Sequence, residues 1–329
     1  MQRKMNGYYK LGILLLYVST FLIILHFVNS EPVHTYVQAI KNQSLVVHLP
    51  EDDIARQIKE IANKLDQPAI DAKIDPIWKA IPGYDGVRVN QDKSYQLSKK
   101  MGQVGIETLV IEQVKPKKQL EDLPLNPIYR GNPEKPMISL MVNVAWGTEY
   151  VKEMLEIFDK YQVKSTFFLD GMWLHQNKEL ALEILKKGHE IGNHAYSHPN
   201  LSSKSNEQIY NELAKTENLI EKLGTKSKLF APPSGDYDER VVSIANKLGM
   251  KVVLWTLDTV DWKKPPASTI VERIVPRLEN GALILMHPTK PTVEALPRII
   301  EGALRKELQF GTTSDLLSSD RVQSIVRID

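Results

Sequence analysis

Ser165-Thr166-Phe167-Phe168-Leu169, then Leu180 to Lys187 closed by Gly188, then Glu190-Ile191-Gly192-Asn193 running into His194, is the stretch from which the fold can be read. Short apolar runs bounded by turn residues read as strands buried on both faces, and the amphipathic stretch between them reads as a helix. The same alternation extends in both directions. Upstream, Met137 to Val144 is predicted as a strand and Val151 to Tyr161 as a helix. Downstream come a helix from Ser205, a plausible cap, to Leu223, stopped by Gly224, and a strand at Leu229-Phe230. Then follow a helix Glu239 to Leu248, a strand Val252 to Thr256, a helix Thr269 to Leu278, a strand Ala282 to Met286 and a helix Val293 to Leu304. Such repetition predicts an α/β fold, either a parallel sheet or a β/α barrel. Chemistry in these folds sits on loops at the C-terminal strand ends. His194, His198, Asp258, Asp261 and His287 all follow predicted strands.

The pair His194 and His198, in Gly-His-Glu-Ile-Gly-Asn-His-Ala-Tyr-Ser-His-Pro-Asn-Leu, is the most informative chemical feature. Histidines four apart can share one side of a helical turn, and neutral imidazoles on a common face suit a divalent transition metal, usually zinc. Two unrelated surface histidines would have the same spacing. Trp146, Trp255 and Trp262 either line a groove or pack in the core. His175 and His189 show no partner in the sequence and are given no role.

Outward from this domain the signals thin. Lys115 to Pro136, rich in lysine and proline, reads as a linker. Residues 31–114 read as a small α+β accessory region or spacer without chemistry. It holds a helix over Asp52 to Leu65 with Ile54, Ile58, Ile61 and Leu65 on one face, and a strand at Thr108 to Ile111. Gln91 to Lys100 is polar apart from Tyr95 and Leu97 and is assigned no element. The main domain is set at 137–310 and a C-terminal tail at 311–329. At the other end, Arg3, Lys4 and Lys10 precede an uncharged apolar run from Leu11 to Val28. The expectation is a membrane segment within residues 1–30, N-terminus inside and the rest extracytoplasmic, with cleavage as a signal peptide the alternative. The 329 residues carry a formal net charge of +2, which gives no case for a nucleic-acid partner. With no cysteine, disulfides, thiolate metal sites and cysteine nucleophiles are excluded.

Five segments, in order, resemble the polysaccharide deacetylase family, also called the NodB-homology or carbohydrate esterase 4 family. They are Thr166-Phe167-Phe168-Leu169, Asn193-His194-Ala195-Tyr196-Ser197-His198-Pro199, Phe230-Ala231-Pro232-Pro233-Ser234-Gly235, Trp255-Thr256-Leu257-Asp258-Thr259-Val260-Asp261-Trp262 and Leu283-Ile284-Leu285-Met286-His287. The resemblance spans roughly Pro136 to Leu308. It implies a distorted (β/α) barrel that removes acetyl groups from N-acetylated sugars of peptidoglycan or chitin-like polymers. By carry-over, His194 and His198 would ligate a divalent metal, zinc by expectation. His287 would be the acid that protonates the leaving amine, with Asp261 orienting it, and Trp146 and Trp262 would face the glycan. Asp258 is read as structural.

The family's first motif runs Thr-Phe-Asp-Asp-Gly, or Thr-Phe-Asp-x-x-Trp-Gly in a spore-related branch. The matching segment here is Met141-Val142-Asn143-Val144-Ala145-Trp146-Gly147. Asn143 falls on the first aspartate and Val144 on the next position, while Ala231 stands where the family has arginine. An amide has no usable proton-accepting form near neutral pH. The base and the arginine that positions it are therefore missing together, and the resemblance implies weak or lost hydrolysis. The alternatives are a non-catalytic glycan-binding or scaffold protein of the envelope or spore, and an active enzyme with a substitute carboxylate from Asp170, Asp236 or Asp258.

Overall fold

The computed structural model describes residues 51–322. The predicted membrane segment lies outside these residues, and among those described no helix is long and apolar enough to cross a membrane. The described chain forms two compact units, 51–65 with 89–111, and 66–88 with 112–322. Residues 66–88, placed with the small region in the sequence reading, thus group with the larger unit.

In the smaller unit, helix α1 (Glu51–Leu65) buries Ile54, Ile58 and Ala62 against Val89, with Tyr95, Val104 and Leu109 packed around them. Helix α2 (Gln91–Met101) is capped by Asn90, whose side chain accepts from Lys93 N at 3.0 Å, and is closed by Gly102 at φ 73°. Its buried face is built from serines rather than hydrophobes. Ser98 Oγ donates to Thr108 Oγ1 at 2.8 Å, and Ser94 Oγ accepts from Val110 N at 2.8 Å. The strand predicted at Thr108 to Ile111 is displaced: Ile106–Thr108 is a 3-10 turn and the extended stretch runs over Ile111–Val114.

The larger unit holds a small antiparallel pair, Lys73–Asp75 with Lys79–Ile81, and one eight-stranded parallel sheet. In chain order the sheet's strands and the helices between them are β1 (Met137–Val144), α3 (Thr148–Tyr161), β2 (Thr166–Leu169), α4 (Gly171–Gln176), α5 (Lys178–Lys186) and β3 (Glu190–Asn193). They continue with α6 (Asn206–Glu221), β4 (Leu229–Phe230), α7 (Glu239–Lys247), β5 (Lys251–Val252), β6 (Leu257–Asp258), α8 (Ala267–Ile274), β7 (Leu283–Met286), α9 (Lys290–Arg305), β8 (Gln309–Phe310) and α10 (Thr313–Leu317). The spatial order is β6-β7-β1-β2-β3-β4-β5, with β8 pairing β1 beyond the start of the β7 ladder. β1, β2 and β7 are almost wholly buried, as expected of strands covered on both faces.

Helix α6 begins with a capping box, Ser205 accepting from Gln208 N and Gln208 from Ser205 N. The predicted strand Val252 to Thr256 is divided. Its first residue ends β5, Val253 bridges Ile128, and the chain re-enters the sheet at β6 beside β7. Pro276 tightens the end of the predicted helix 269–278 into a 3-10 turn. The helix α10, not anticipated, is held by the buried Lys135. Its Nζ donates to the carbonyls of Asp315 and Ser318, and burial pushes its ammonium down to about 8.

Candidate active site

The C-terminal ends of β1, β3, β6 and β7 open on one cavity of about 460 Å3, and Asn143, Trp146, His194, His198, Asp258 and His287 all line it. Trp255 and Trp262 complete an aromatic rim. The sequence-selected residues are therefore brought together, with the exception of Asp261, which stands behind the wall, fully buried.

One wall carries the histidine pair. His194 follows β3, and its backbone continues the ladder by donating to Leu169 O at 3.0 Å. Its Nδ1 lies 2.7 Å from Ala231 O. A carbonyl only accepts, so Nδ1 bears the proton and Nε2 keeps its lone pair. Burial, then the neighbouring His198, push His194 down to about 3, and burial also lowers His198. The rings meet with centroids 5.0 Å apart at 73°. No helical turn joins them. The link is a tight loop with Ala195 at φ 61° and His198 at φ 54°, left-handed values that non-glycine residues adopt only when held. Glu212 on α6 holds it, accepting from Tyr196 N (3.0 Å), Ser197 N (2.8 Å) and Ser197 Oγ (2.9 Å). Asn193 braces the same turn by accepting from Ala195 N at 3.0 Å and donating to Leu213 O. Neither Glu212 nor this brace was selected from the sequence, where a glutamate mid-helix reads as solvated surface.

The opposite wall carries His287. Its Nδ1 meets Asp261 Oδ1 at 2.7 Å and its backbone N donates to Asp261 Oδ2 at 2.7 Å. Thr292, near the start of α9, donates its hydroxyl to the same Oδ2 at 2.6 Å. The carboxylate thus fixes the ring from behind and leaves Nε2 toward the cavity side. Trp146 stacks on the imidazole, centroids 5.6 Å apart and planes within 10°. The turn after Trp146 depends on Gly147 at φ 77°, where a Cβ would fall 2.0 Å from Pro288 O. Trp146 and Trp262 are 43% and 52% exposed, so a ligand can reach them, and Lys263 Nζ sits 4.9 Å above the Trp262 ring.

Between the walls, Asn143 is 4% exposed and its Oδ1 has no hydrogen-bond partner. The donor set for a metal is two neutral imidazoles and an uncharged amide. Among the described residues no group of three His, Cys, Asp or Glu is assembled to hold an ion. This set does not fit the expected zinc centre, because Asn143 and Val144 supply neither the carboxylate ligand nor the carboxylate base of the family's first motif. Of the three candidate substitute carboxylates, Asp236 is engaged with Ser202 N and Oγ at 2.7 Å each. Asp170 caps α4 through Trp173 N, and burial pushes it up to about 6. Only Asp258 of the three lines the same cavity, where its Oδ1 accepts from Val260 N at 2.8 Å.

A family model described as polysaccharide deacetylase matches residues 130–253. A peptidoglycan-N-acetylglucosamine deacetylase of Bacillus cereus is 32% identical over 51% of this chain and 82% of its own length. The chain belongs to the polysaccharide deacetylase family. The sheet is accordingly the curled parallel half-barrel of the NodB-like α/β fold. Two further members of the family's neighbourhood cover more of the molecule. The uncharacterized protein YlxY of Bacillus subtilis is 42% identical over 93% of this chain and 97% of its own. The crystal structure of BA3943 of Bacillus anthracis, described as a CE4 family pseudoenzyme, superposes with a TM-score of 0.75 at 40% identity, covering 82% of this chain and 96% of that one. A mutant of BA3943 described as having restored enzymatic activity aligns equally well, at 39% identity, TM-score 0.75, and 82% and 99% coverage. The matched stretch takes in the first three of the five segments quoted above, up to Phe230–Gly235.

Proposed function

We propose that this protein engages N-acetylated cell-wall glycan in the cavity between His194 and His287 and has lost most or all of the family's hydrolysis of the acetamido C–N bond. The observation that carries the reading is Asn143, a buried amide with an unpartnered oxygen at the position where the family's base motif places a carboxylate. An amide cannot take a proton from water, and loss of a general base alone costs about 10²–10⁴ in rate. The rest of the cleft supports ligand binding. Three tryptophans rim it, and aromatic faces give large contact area at low entropic cost. Asn143 offers an amide group that both donates and accepts, and the neutral His194 Nε2 accepts, so an intact acetamide finds complementary partners there.

The likeness to BA3943, a pseudoenzyme of the same family, agrees with this reading. The glycan class follows from the peptidoglycan deacetylase relative. On the same reading, Leu11–Val28 anchors the chain to the cell membrane and the domain works outside it. Divalent metal, if held, is held weakly by His194 and His198 alone.

The test pairs turnover with binding. Purified protein with added zinc should release no acetate from N-acetylglucosamine oligomers beyond that of a His194→Ala variant, yet should bind those oligomers in calorimetry. Acetate release abolished by His194→Ala would establish an active enzyme instead. Absence of both release and binding would leave a scaffold without a glycan site.

A further inference from the structure

Away from the cleft, the small antiparallel hairpin of Lys73–Asp75 with Lys79–Ile81 ends in an apolar tip, Ile74-Asp75-Pro76-Ile77-Trp78. Ile77 is 75% exposed, the most exposed large apolar side chain among the described residues, and Ile74 is 42% exposed. Single exposed hydrophobes are ordinary on a surface. Here, however, the turn that carries them is fixed: Asp75 Oδ1 accepts from Ile77 N and Trp78 N at 2.9 Å each. Ala80 and Ile81 at the inner end of the hairpin are buried. Trp78 is half-buried at the base of the tip, with Arg130 Cζ 5.4 Å from its ring. Cations surround this apolar tip. Lys73 and Lys79 bracket it in the chain, and Lys79 Nζ donates to Pro76 O at 3.2 Å. Lys118 O accepts from Ala72 N at 2.9 Å, so Lys117 and Lys118, both exposed, stand beside the same strand. Against these four lysines stand two carboxylates, and each is engaged by backbone N–H groups, Asp75 as above and Asp71 by Lys117 N at 2.6 Å and Lys118 N at 3.1 Å.

We propose that this hairpin tip docks on an anionic phospholipid bilayer, with Ile74 and Ile77 entering the headgroup region and Lys73, Lys79, Lys117 and Lys118 meeting lipid phosphates. Isoleucines, a tryptophan and lysines in one short segment suit a membrane–water boundary, where apolar side chains enter and ammonium groups stay with the phosphates. A protein partner would need a far broader face than two isoleucines provide. A bilayer asks only for a protruding apolar point with cations around it. The inference rests on the membrane-anchored reading above. Leu11–Val28 precedes the hairpin in the chain, and as a tether it would raise the local concentration of bilayer, so a contact too weak to recruit a free protein suffices. Docking adds to that reading a fixed attitude of the larger unit on the membrane surface.

The chain has no cysteine, so Ile77→Cys carrying a polarity-sensitive fluorophore reports on the tip alone. The full chain so labelled is reconstituted in vesicles of phosphatidylcholine, with or without about one-third phosphatidylglycerol. Emission should move to the blue and rise about twofold with the anionic lipid over the neutral one, and most of that gain should vanish in high salt. A label at Leu304→Cys, at a position 52% exposed on α9, should respond to neither lipid. Adding Lys73→Gln and Lys118→Gln to the Ile77→Cys chain should remove about half of the gain. A label at Ile77→Cys that stays in water in both vesicles, or responds no more than the one at Leu304→Cys, would overturn docking by the hairpin while leaving the anchor. A response indifferent to lipid charge would overturn the anionic bilayer as the partner. Failure of the chain to float with either vesicle would overturn the anchored reading, and the docking with it.

Discussion

The two walls of the cleft are in opposite states of completion. On the His287 side each polar group of the core trio has a partner: Asp261 takes the His287 ring, the His287 backbone and the Thr292 hydroxyl. On the Asn143 side a buried amide oxygen has none, and Ala231 brings backbone groups alone, its N–H donating to Asn193 O and its carbonyl accepting from His194. Yet on that side His194 has a fixed tautomer, and the loop that carries both histidines is braced by Glu212. The difference teaches that the change is confined to two side chains, and that the frame around them still holds the shape of a working site.

The largest effect that could break this comparison is recovery of turnover. Asn143→Asp combined with Ala231→Arg should raise acetate release from N-acetylglucosamine oligomers in added zinc by about 10²–10⁴-fold, the worth of a general base. No gain in a folded double variant would mean that the damage extends beyond the two side chains. Next, the walls should differ in what they give to stability. Asp261→Ala strands a histidine and a threonine hydroxyl in the interior and should cost about 3–5 kcal/mol in urea unfolding. Asn143→Ala removes an amide whose oxygen has no partner and should cost no more than about 1 kcal/mol. Similar losses at both positions would erase the distinction drawn here.

A fourth histidine provides a reference away from both walls. His189 sits between Phe158 and Phe167, accepts from Ser165 N at 3.2 Å, and burial pushes it down to about 4. The unfolded chain carries an ordinary imidazole near pKa 6.5, so between the two values it binds the extra proton. Stability from this residue is therefore full above about pH 6.5 and is lost as pH falls toward 4, to a total of about 3 kcal/mol. Unfolding followed from neutral to acid pH should show that slope, and His189→Asn should flatten it. A slope unchanged by the substitution would put its origin elsewhere. A more local effect concerns the aromatic that leans on His287. Gly147→Ala forces a Cβ onto Pro288 O and should cost about 1–3 kcal/mol while moving Trp146, read as a change in its fluorescence. Unaltered emission with unaltered stability would show that the stack does not depend on this turn.

Much of the larger unit was legible because its strands are apolar on both faces and its helices are closed by glycines at 188, 224 and 249, all with positive φ. The site was legible because its residues recur just past strand ends. What escaped did so for physical reasons. Helix α2 buries Ser94 and Ser98, so it carries no apolar stripe to betray it. Val253 leaves the ladder to bridge Ile128, a pairing between residues far apart in the chain that no local pattern encodes. Thr292 and Glu212 act by hydrogen bonds to loops distant in sequence, and their spacing from His287 and His198 matches no motif. The joining of the two histidines by a strained loop rather than a helical turn follows from the same limit: spacing gives proximity, but not the route the backbone takes.

The paired absence of carboxylate and guanidinium has a historical consequence. An ancestor-like aspartate restored alone would set an unanswered negative charge beside the imidazoles, and an arginine restored alone would bury an unanswered positive one. Each half-step back is penalised while only the two together are rewarded. Reversion by either single substitution is therefore uphill, and the present pair is held in place as by a ratchet.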